Sequence, residues 1–332
     1  MKYALAKLVV ALGAVLLAVA SSGCQSMERM SRPDAHASIE RPEDWPRERA
    51  EETHGVLFEI HHPEQPVRIR LRRLEPALMS QAHPIWAEMW LEASYDALGD
   101  VEAEPVQIDG RRATRLDANV TDNGDELLID MLVVNAGADS FVLEAWGPRS
   151  AMEETAETRR RIVDSVEFAG ATKPDRASED DREPTYATAD GWRLRLPAID
   201  GAGLGATWQV EQISEGRVVL ELPSQLIEAE LFAERLPYPI DATRYAKIAL
   251  DLDEAPSSDD PHDAVVRVDD DSHRVPMVHT YRFITRGGRA AQVVVSTPEA
   301  LYDNNQALVD EVLEGLEADP ENPSGSSGNS AE

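Results

Sequence analysis

The chain has one cysteine, Cys24, in 332 residues. With none after it, no disulfide can form within the body, so the fold rests on its core alone. One apolar run stands out, Leu8 to Ala20, and it is short for a bilayer crossing, which takes roughly 20 residues. No later segment is long and apolar enough to span. Aromatic residues are sparse, with five Phe, seven Tyr and six Trp, which argues against a large aromatic ligand groove. Basic residues are outnumbered by acidic ones, 32 against 62, for a formal charge of −30. A surface of that sign repels nucleic-acid phosphates and anionic headgroups, so nucleic acid is excluded as a partner. It suits a salty medium, where acidic groups stay hydrated and salt screens their repulsion. There is no Gly-x-Ser-x-Gly nucleophile elbow, no P-loop and no dinucleotide-type glycine pattern. An apolar content of 42% is nonetheless enough for a packed core. The length allows about two domains.

Lys2 and Lys7 form a basic stretch before the apolar run, and Ala20-Ser21-Ser22-Gly23-Cys24 follows it. That order belongs to a cleaved export signal rather than to a membrane helix. It resembles a bacterial lipoprotein signal with its lipobox, in which the thiol after the cut takes a diacylglyceryl group. The resemblance implies that residues 1–23 are removed and that Cys24 is lipidated. The mature chain then carries a charge near −32 (30 minus 62), Lys2 and Lys7 having gone. Ser21 departs from the leucine commonest at its place. Gln25, rather than Asp, after the cysteine implies sorting to the outer membrane, with the protein facing the periplasm and held to the membrane by its lipid.

Residues 24–52 are polar and charged and include Pro33, Pro42 and Pro46, which reads as a flexible tether. Residues 170–184 lack apolar periodicity and read as a linker. Residues 319–332 are of low complexity and read as a disordered tail. The two bodies between these breaks, 53–169 and 185–318, look like one another. Gly137 and Gly287, Pro148 and Pro298, Val166 and Leu316, and Glu167 and Glu317 each stand 150 apart (287 − 137, 298 − 148, 316 − 166, 317 − 167). A constant offset from a turn to the end of a helix points to a duplicated unit.

The local patterns agree. Val67, Ile69 and Leu71 alternate with arginines, as Trp192, Leu194 and Leu196 do, the period of a half-buried strand. Trp86, Met89, Trp90 and Ala93 follow helical spacing after Pro84, and Tyr245, Ile248, Ala249 and Leu252 follow it after Asp241. Strands are expected at Ala113–Val120, Leu127–Asn135 and Ser140–Trp146, with counterparts at Val275–Ile284 and Ala290–Ser296. Asp122-Asn123-Gly124 and Arg286-Gly287-Gly288 suit tight hairpins. Each unit closes with a helix after a proline. In the second copy its stripe is Leu301, Leu308, Val309, Val312, Leu313 and Leu316; in the first it is Met152, Ile162, Val163 and Val166.

Strands, helix, antiparallel strands and helix make an α+β sandwich. This order, the lead from Val106-Gln107-Ile108-Asp109-Gly110 into a strand, and the closing proline and helix resemble the PsbP/DcrB-type fold. The resemblance covers residues 54–168 and 186–318. It implies two tandem α/β/α sandwich domains in an exported, lipid-anchored protein, with no cofactor and no catalytic motif to carry across.

Three constellations are candidates for chemistry. His61-His62-Pro63-Glu64 could ligate a transition metal, but neighbouring strand residues face opposite ways, and a turn pair is the plainer reading. The stretch from Asp251 to His273, with Asp259, Asp260, Asp269, Asp270 and Asp271, offers oxygen ligands for Ca²⁺ without the spacing of an EF-hand; a solvated insertion is the alternative. Arg68, Arg70 and Arg72 on one strand, with Arg111 and Arg112 near Arg115, would suit capture of an anion. Cross-strand pairing with Asp and Glu is the alternative there. The expectation is a non-enzymatic envelope lipoprotein that binds another envelope protein in assembly, stress or maintenance. The rival is a small-ligand or cation-binding module; a hydrolase has no motif behind it.

Overall fold

The computed structural model describes residues 26–48, 55–74, 77–137, 139–168, 185–199 and 207–318. The signal at 1–23, Cys24, the linker at 170–184 and the tail at 319–332 lie outside them. In the first half come β1 (Met27–Arg32), β2 (Ala37–Pro42), β3 (Arg47–Glu48), β4 (Val56–His61) and β5 (Arg68–Leu74). Helix α1 (His83–Ser94) follows, then β6 (Ala97–Ile108), β7 (Arg111–Asp122), β8 (Asp125–Ala136) and β9 (Asp139–Gly147). Helices α2 (Arg149–Glu154) and α3 (Ala156–Asp164) and strand β10 (Glu167–Phe168) close this half. The second half runs β11 (Thr185–Ala189), β12 (Trp192–Leu196), β13 (Gln209–Ser214), β14 (Arg217–Leu222), β15 (Ile227–Arg235), helix α4 (Ala242–Ala249) and β16 (Asp263–Asp270). It ends with β17 (Met277–Arg286), β18 (Arg289–Pro298), helix α5 (Glu299–Glu314) and β19 (Leu316–Ala318).

Each half holds one large and one small sheet, paired antiparallel. The large sheets run β3-β4-β5-β9-β8-β7-β6 and β13-β14-β15-β18-β17-β16; the small ones run β1-β2-β10 and β11-β12-β19. The two halves match residue by residue. Ala113 pairs with Val134 as Asp263 pairs with Ile284, both shifted by 150 (263 − 113, 284 − 134). Leu71 pairs with Leu143 as Leu231 pairs with Val293, with shifts of 160 (231 − 71) and 150 (293 − 143). Pro148 and Pro298 stand before the closing helices with nearly the same backbone angles, φ −56 and −55. The hairpin turns Asn123-Gly124 and Gly287-Gly288 have positive φ at both residues, as the expected tight turns require.

The fold is α+β. In the first half, one face of the large sheet (Ile69, Leu71, Leu132, Val134, Phe141, Leu143) packs on the small sheet and on α2 and α3. The other face (Leu116, Ile129, Met131, Val133) packs on Ala87 and Leu91 of α1. One outer layer is thus a small sheet beside helices.

The tether reading of 24–52 is corrected for residues 26–48. Met30, Ala37, Ile39 and Trp45 are buried in the first core, and β2 pairs with both β1 and β10. Charged residues on the outer face hid this hairpin: Arg29 bonds Glu40 and Glu167, at 3.0 and 2.6 Å. The first folded unit therefore starts near Met27, ahead of residue 53. The acidic stretch is also corrected. Its residues 263–270 form β16, which matches β7, and residues 251–262 stand at the place of β6, which has no matching strand among the described residues.

Helix α1 differs from expectation in its buried face. Ala87 and Leu91 are buried, whereas Trp86, Met89 and Trp90 are half-buried and Ala93 is exposed. The expected stripe of α4 likewise holds Tyr245 inside but leaves Ile248 60% exposed.

Candidate functional site

The halves meet along a polar and apolar seam. Arg274 donates to Glu88 Oε1 at 2.5 Å and to the Leu98 carbonyl at 3.2 Å, and its backbone N–H donates to Glu92 at 3.3 Å. The Met79 N–H donates to the Ser224 carbonyl at 2.8 Å. Leu301 of α5 is buried in the first half's core. Helix α1 lies between two sheets: Ala87 and Leu91 face its own, while Met89, Glu92 and Ala93 face the second.

Below these last residues opens a cleft of about 580 Å³, within the range of small-ligand and side-chain pockets. Its walls are largely apolar, with Met89, Ala93, Leu226, Ile227, Val275 and Met277 among them. Methionines let such a wall fit more than one shape. The rim carries Glu92 and Glu221, with His273.

The repeat explains why the cleft is there. Its floor is a cross-strand row, Glu228, Ser296 and His279. The matching row of the first half is Arg68, Trp146 and Ile129. Where the first half has an indole, packed under the Arg70 guanidinium at 4.9 Å, the second has a serine hydroxyl. A large side chain is missing from the sheet face, and α4, with 8 residues against 12 in α1, covers only the far end of it.

Ser296, His279 and Asp270 form a line on this floor. His279 Nδ1 lies 2.8 Å from Ser296 Oγ, and its Nε2 lies 3.7 Å from Asp270 Oδ2. Bonds from the Ser272 hydroxyl and N–H, with both histidines nearby, hold the Asp270 carboxyl below its usual range, so it is a fixed negative charge. Ser296 stands within a strand paired on both sides. Its neighbouring N–H groups are engaged in the ladders rather than aimed at a developing oxyanion, which acyl transfer would need. The row can recognise a hydroxyl or an amine; it is not arranged to attack a carbonyl. Spacing in sequence gave no sign of it, since the three residues come together only through the β16–β17–β18 register.

The arginines are not gathered into one site. Arg68 and Arg70 bond Glu59 at 3.3 and 3.1 Å. Arg72 is buried, bonds Glu144 at 3.1 Å, and stacks on Trp90 at 3.9 Å. Trp90 Nε1 also donates to Glu144. Arg111 and Arg112 lie on β7, with β8 and β9 between them and β5. Being adjacent on a strand, they point to opposite faces. Arg68, Arg70 and Arg72 thus pair across strands with Glu59 and Glu144, and the five arginines do not converge on one site.

Nor do the aspartates converge. Asp259 and Asp260 precede β16, while Asp269, Asp270 and Asp271 lie at its far end. Among the described residues no group of three or more His, Cys, Asp or Glu could hold a metal ion. His62 Nδ1 accepts the N–H groups of Glu64 and Gln65 in a turn, and His61 sits 3.6 Å from Glu48. A second cavity, of about 650 Å³, lies over α3 with Arg115 and Arg159 in its wall. Asp130 neutralises both arginines, at 3.0 and 2.9 Å.

No family model matches the chain, and no curated protein matches it. Among solved structures it is similar to the cyanobacterial PsbP (CyanoP) of Synechocystis, with 12% identity and a TM-score of 0.36 over 45% of this chain and 95% of that one. It is also similar to LpqN of Mycobacterium tuberculosis, which is involved in cell envelope biogenesis, with 14% identity and a TM-score of 0.31 over 44% and 86%. MucB in complex with MucA(peri) is similar over 85% of this chain and 88% of that one, at 13% identity and a TM-score of 0.22. Similarities this slight carry no function across.

Proposed function

We propose that this chain is a non-enzymatic lipoprotein of the bacterial cell envelope, anchored through lipid on Cys24. In this reading it sits at the outer membrane facing the periplasm, and its two tandem PsbP/DcrB-like units hold the cleft between them open for another envelope protein. One observation carries the binding role. The cleft is largely apolar, and it has only Ser296 at the place where the other copy has Trp146. An apolar group of the partner would take that place, and the acidic rim would favour a partner with Lys or Arg beside it. A second reading, a small apolar ligand in the same cleft, rests on its volume alone.

Site-specific photo-crosslinking in cells from position 93 tests this. The expected result is one dominant protein adduct that is lost with Ser296→Trp, which fills the cleft, and reduced with Cys24→Ala, which releases the anchor. Absence of any adduct, or one indifferent to Ser296→Trp, contradicts the proposal. A ligand that raises the melting temperature of the wild type but not of Ser296→Trp would favour the small-ligand reading.

A further inference from the structure

The two large sheets differ by one strand. In the first half, β6 covers the edge of β7, with Glu104 opposite Arg115 and Glu102 opposite Asp117. In the second half, the strand that matches β7 is β16, and it is the last in its sheet. The stretch at the sequence place of β6 is Asp251-Leu252-Asp253-Glu254-Ala255-Pro256-Ser257-Ser258-Asp259-Asp260-Pro261-His262. Two prolines and several Asp and Ser disfavour a strand here, and the segment does not pair with β16.

The register says which groups of β16 are left open. The Thr285 N–H donates to the His262 carbonyl, so residues 264, 266, 268 and 270 continue the bonds to β17. Residues 263, 265, 267 and 269 then direct N–H and C=O outward. Asp263 is served by its own loop: its N–H donates to the Asp260 carbonyl, and its carbonyl accepts the Ser258 hydroxyl at 2.5 Å. Among the described residues, the backbones of Val265, Arg267 and Asp269 have no bond on that side. Val265 is 55% exposed. An open edge of this kind is a template for a further strand.

The geometry points to an extended segment of a partner chain adding antiparallel to β16, in the place β6 holds in the first half. The charges around the edge give its chemistry. Asp259 and Asp260 stand at one end, Asp269 to Asp271 at the other, and Val265 lies between. The segment therefore carries an apolar residue opposite Val265 and Lys or Arg toward both ends. A second copy of this chain fits poorly, because two antiparallel β16 strands would lay the Asp263 end against the Asp269–Asp271 end. The opposite edge, β13, is exposed as well, but its counterpart β3 is also terminal, so nothing in the molecule shows a strand beyond it. This inference stands on the open backbone of Val265, Arg267 and Asp269, none of which lines the cleft, although Asp270 belongs to both.

The probe is a synthetic peptide with the sequence of β6 bearing Asp100→Lys, Glu104→Val and Gln107→Lys, titrated into the mature chain by fluorescence anisotropy. Saturable binding is expected, at least about tenfold tighter than for the unsubstituted peptide and weaker at high salt. Arg267→Pro removes an outward N–H, along with the side-chain contacts of Arg267 to Asp269 and Tyr302, and should abolish binding, whereas Arg267→Ala, which loses the same side-chain contacts but keeps the N–H, should not. Val265→Lys leaves the backbone intact and should weaken binding through like charge, and it decides alone if the proline variant does not fold. Ser296→Trp should leave binding unchanged, which separates this edge from the cleft. The inference is overturned by absence of binding, by binding indifferent to both Arg267→Pro and Val265→Lys, or by dimerisation of the wild type that Arg267→Pro removes.

Discussion

Strand β7 of the first half is covered by β6, whereas its match in the second half, β16, is open, although both halves share one strand order. The first carries β6 along its sheet edge, Trp146 on its sheet face and a buried pair of charges beneath α1. The second has an acidic loop, a serine and apolar residues at those places. Arg72 corresponds to Phe232 (232 − 160) and Glu144 to Val294 (294 − 150), by the same shifts that align the strands. The difference shows how two units with the same strand order can present different surfaces. The first carries one strand more beside β7, while in the second the matching strand β16 is itself the edge.

The largest effect expected from breaking this comparison lies in the buried charges. Arg72 and Glu144 are 3% and 7% exposed, and burial, helped by the nearby Arg70 charge, pulls the Arg72 guanidinium below its ordinary value, with Glu144 opposing that. Glu144→Ala should destabilise by roughly 3–5 kcal/mol, because it strands a buried cation, and Arg72→Met with Glu144→Leu should recover most of the loss. Val294→Ala, at the matching place, should cost only about 1–2 kcal/mol. Urea unfolding measures all three, and equal losses at 144 and 294 would mean that the charged pair is no more critical than its apolar replacement.

The next effect separates the covered edge from the open one. Asp117→Pro removes a ladder donor facing β6 and should cost roughly 2–3 kcal/mol. Arg267→Pro, at the matching place (267 − 117 = 150), removes a donor facing outward and should cost less than about 1 kcal/mol, as proline does on an edge. Similar losses from the two would show that β16 is covered after all.

The smallest effect is confined to alkaline solution. Burial, with the nearby Glu144, raises the Tyr95 hydroxyl from 10.0 to about 12. Below pH 10 it is neutral in both states. Between pH 10 and 12 only the unfolded chain gives up its proton, so stability falls across that window and levels off above it. Tyr95→Phe should flatten this part of the pH profile, and an unchanged slope would place the titration elsewhere.

Much of this plan was legible in the sequence. The alternation around Ile69 and Leu71, the Asn123-Gly124 and Gly287-Gly288 turns, and the prolines before the closing helices are local signals, and the strands and helices formed where those signals lie. The offset of 150 already held the match between the halves. Three features were not legible, for a shared reason. The hairpin of β1 and β2 has one buried face and one charged face, and prolines masked it. Helix α1 is apolar on nearly every side because it packs between two sheets, so its sequence does not say which stripe meets which. The row of Glu228, Ser296 and His279 depends on the registers of three strands, and no spacing along the chain encodes that.

The measurement that bears most directly on the account is amide hydrogen exchange, resolved by residue, in the protein without any partner. Arg115 and Asp117, covered by β6, should exchange slowly. Their counterparts Val265 and Arg267 should exchange as freely as loop amides, although alternate residues of the same strand, Val266 and Val268, are protected by β17. Protection of Val265 and Arg267 equal to that of Arg115 and Asp117 would contradict the claim that β16 is an open edge.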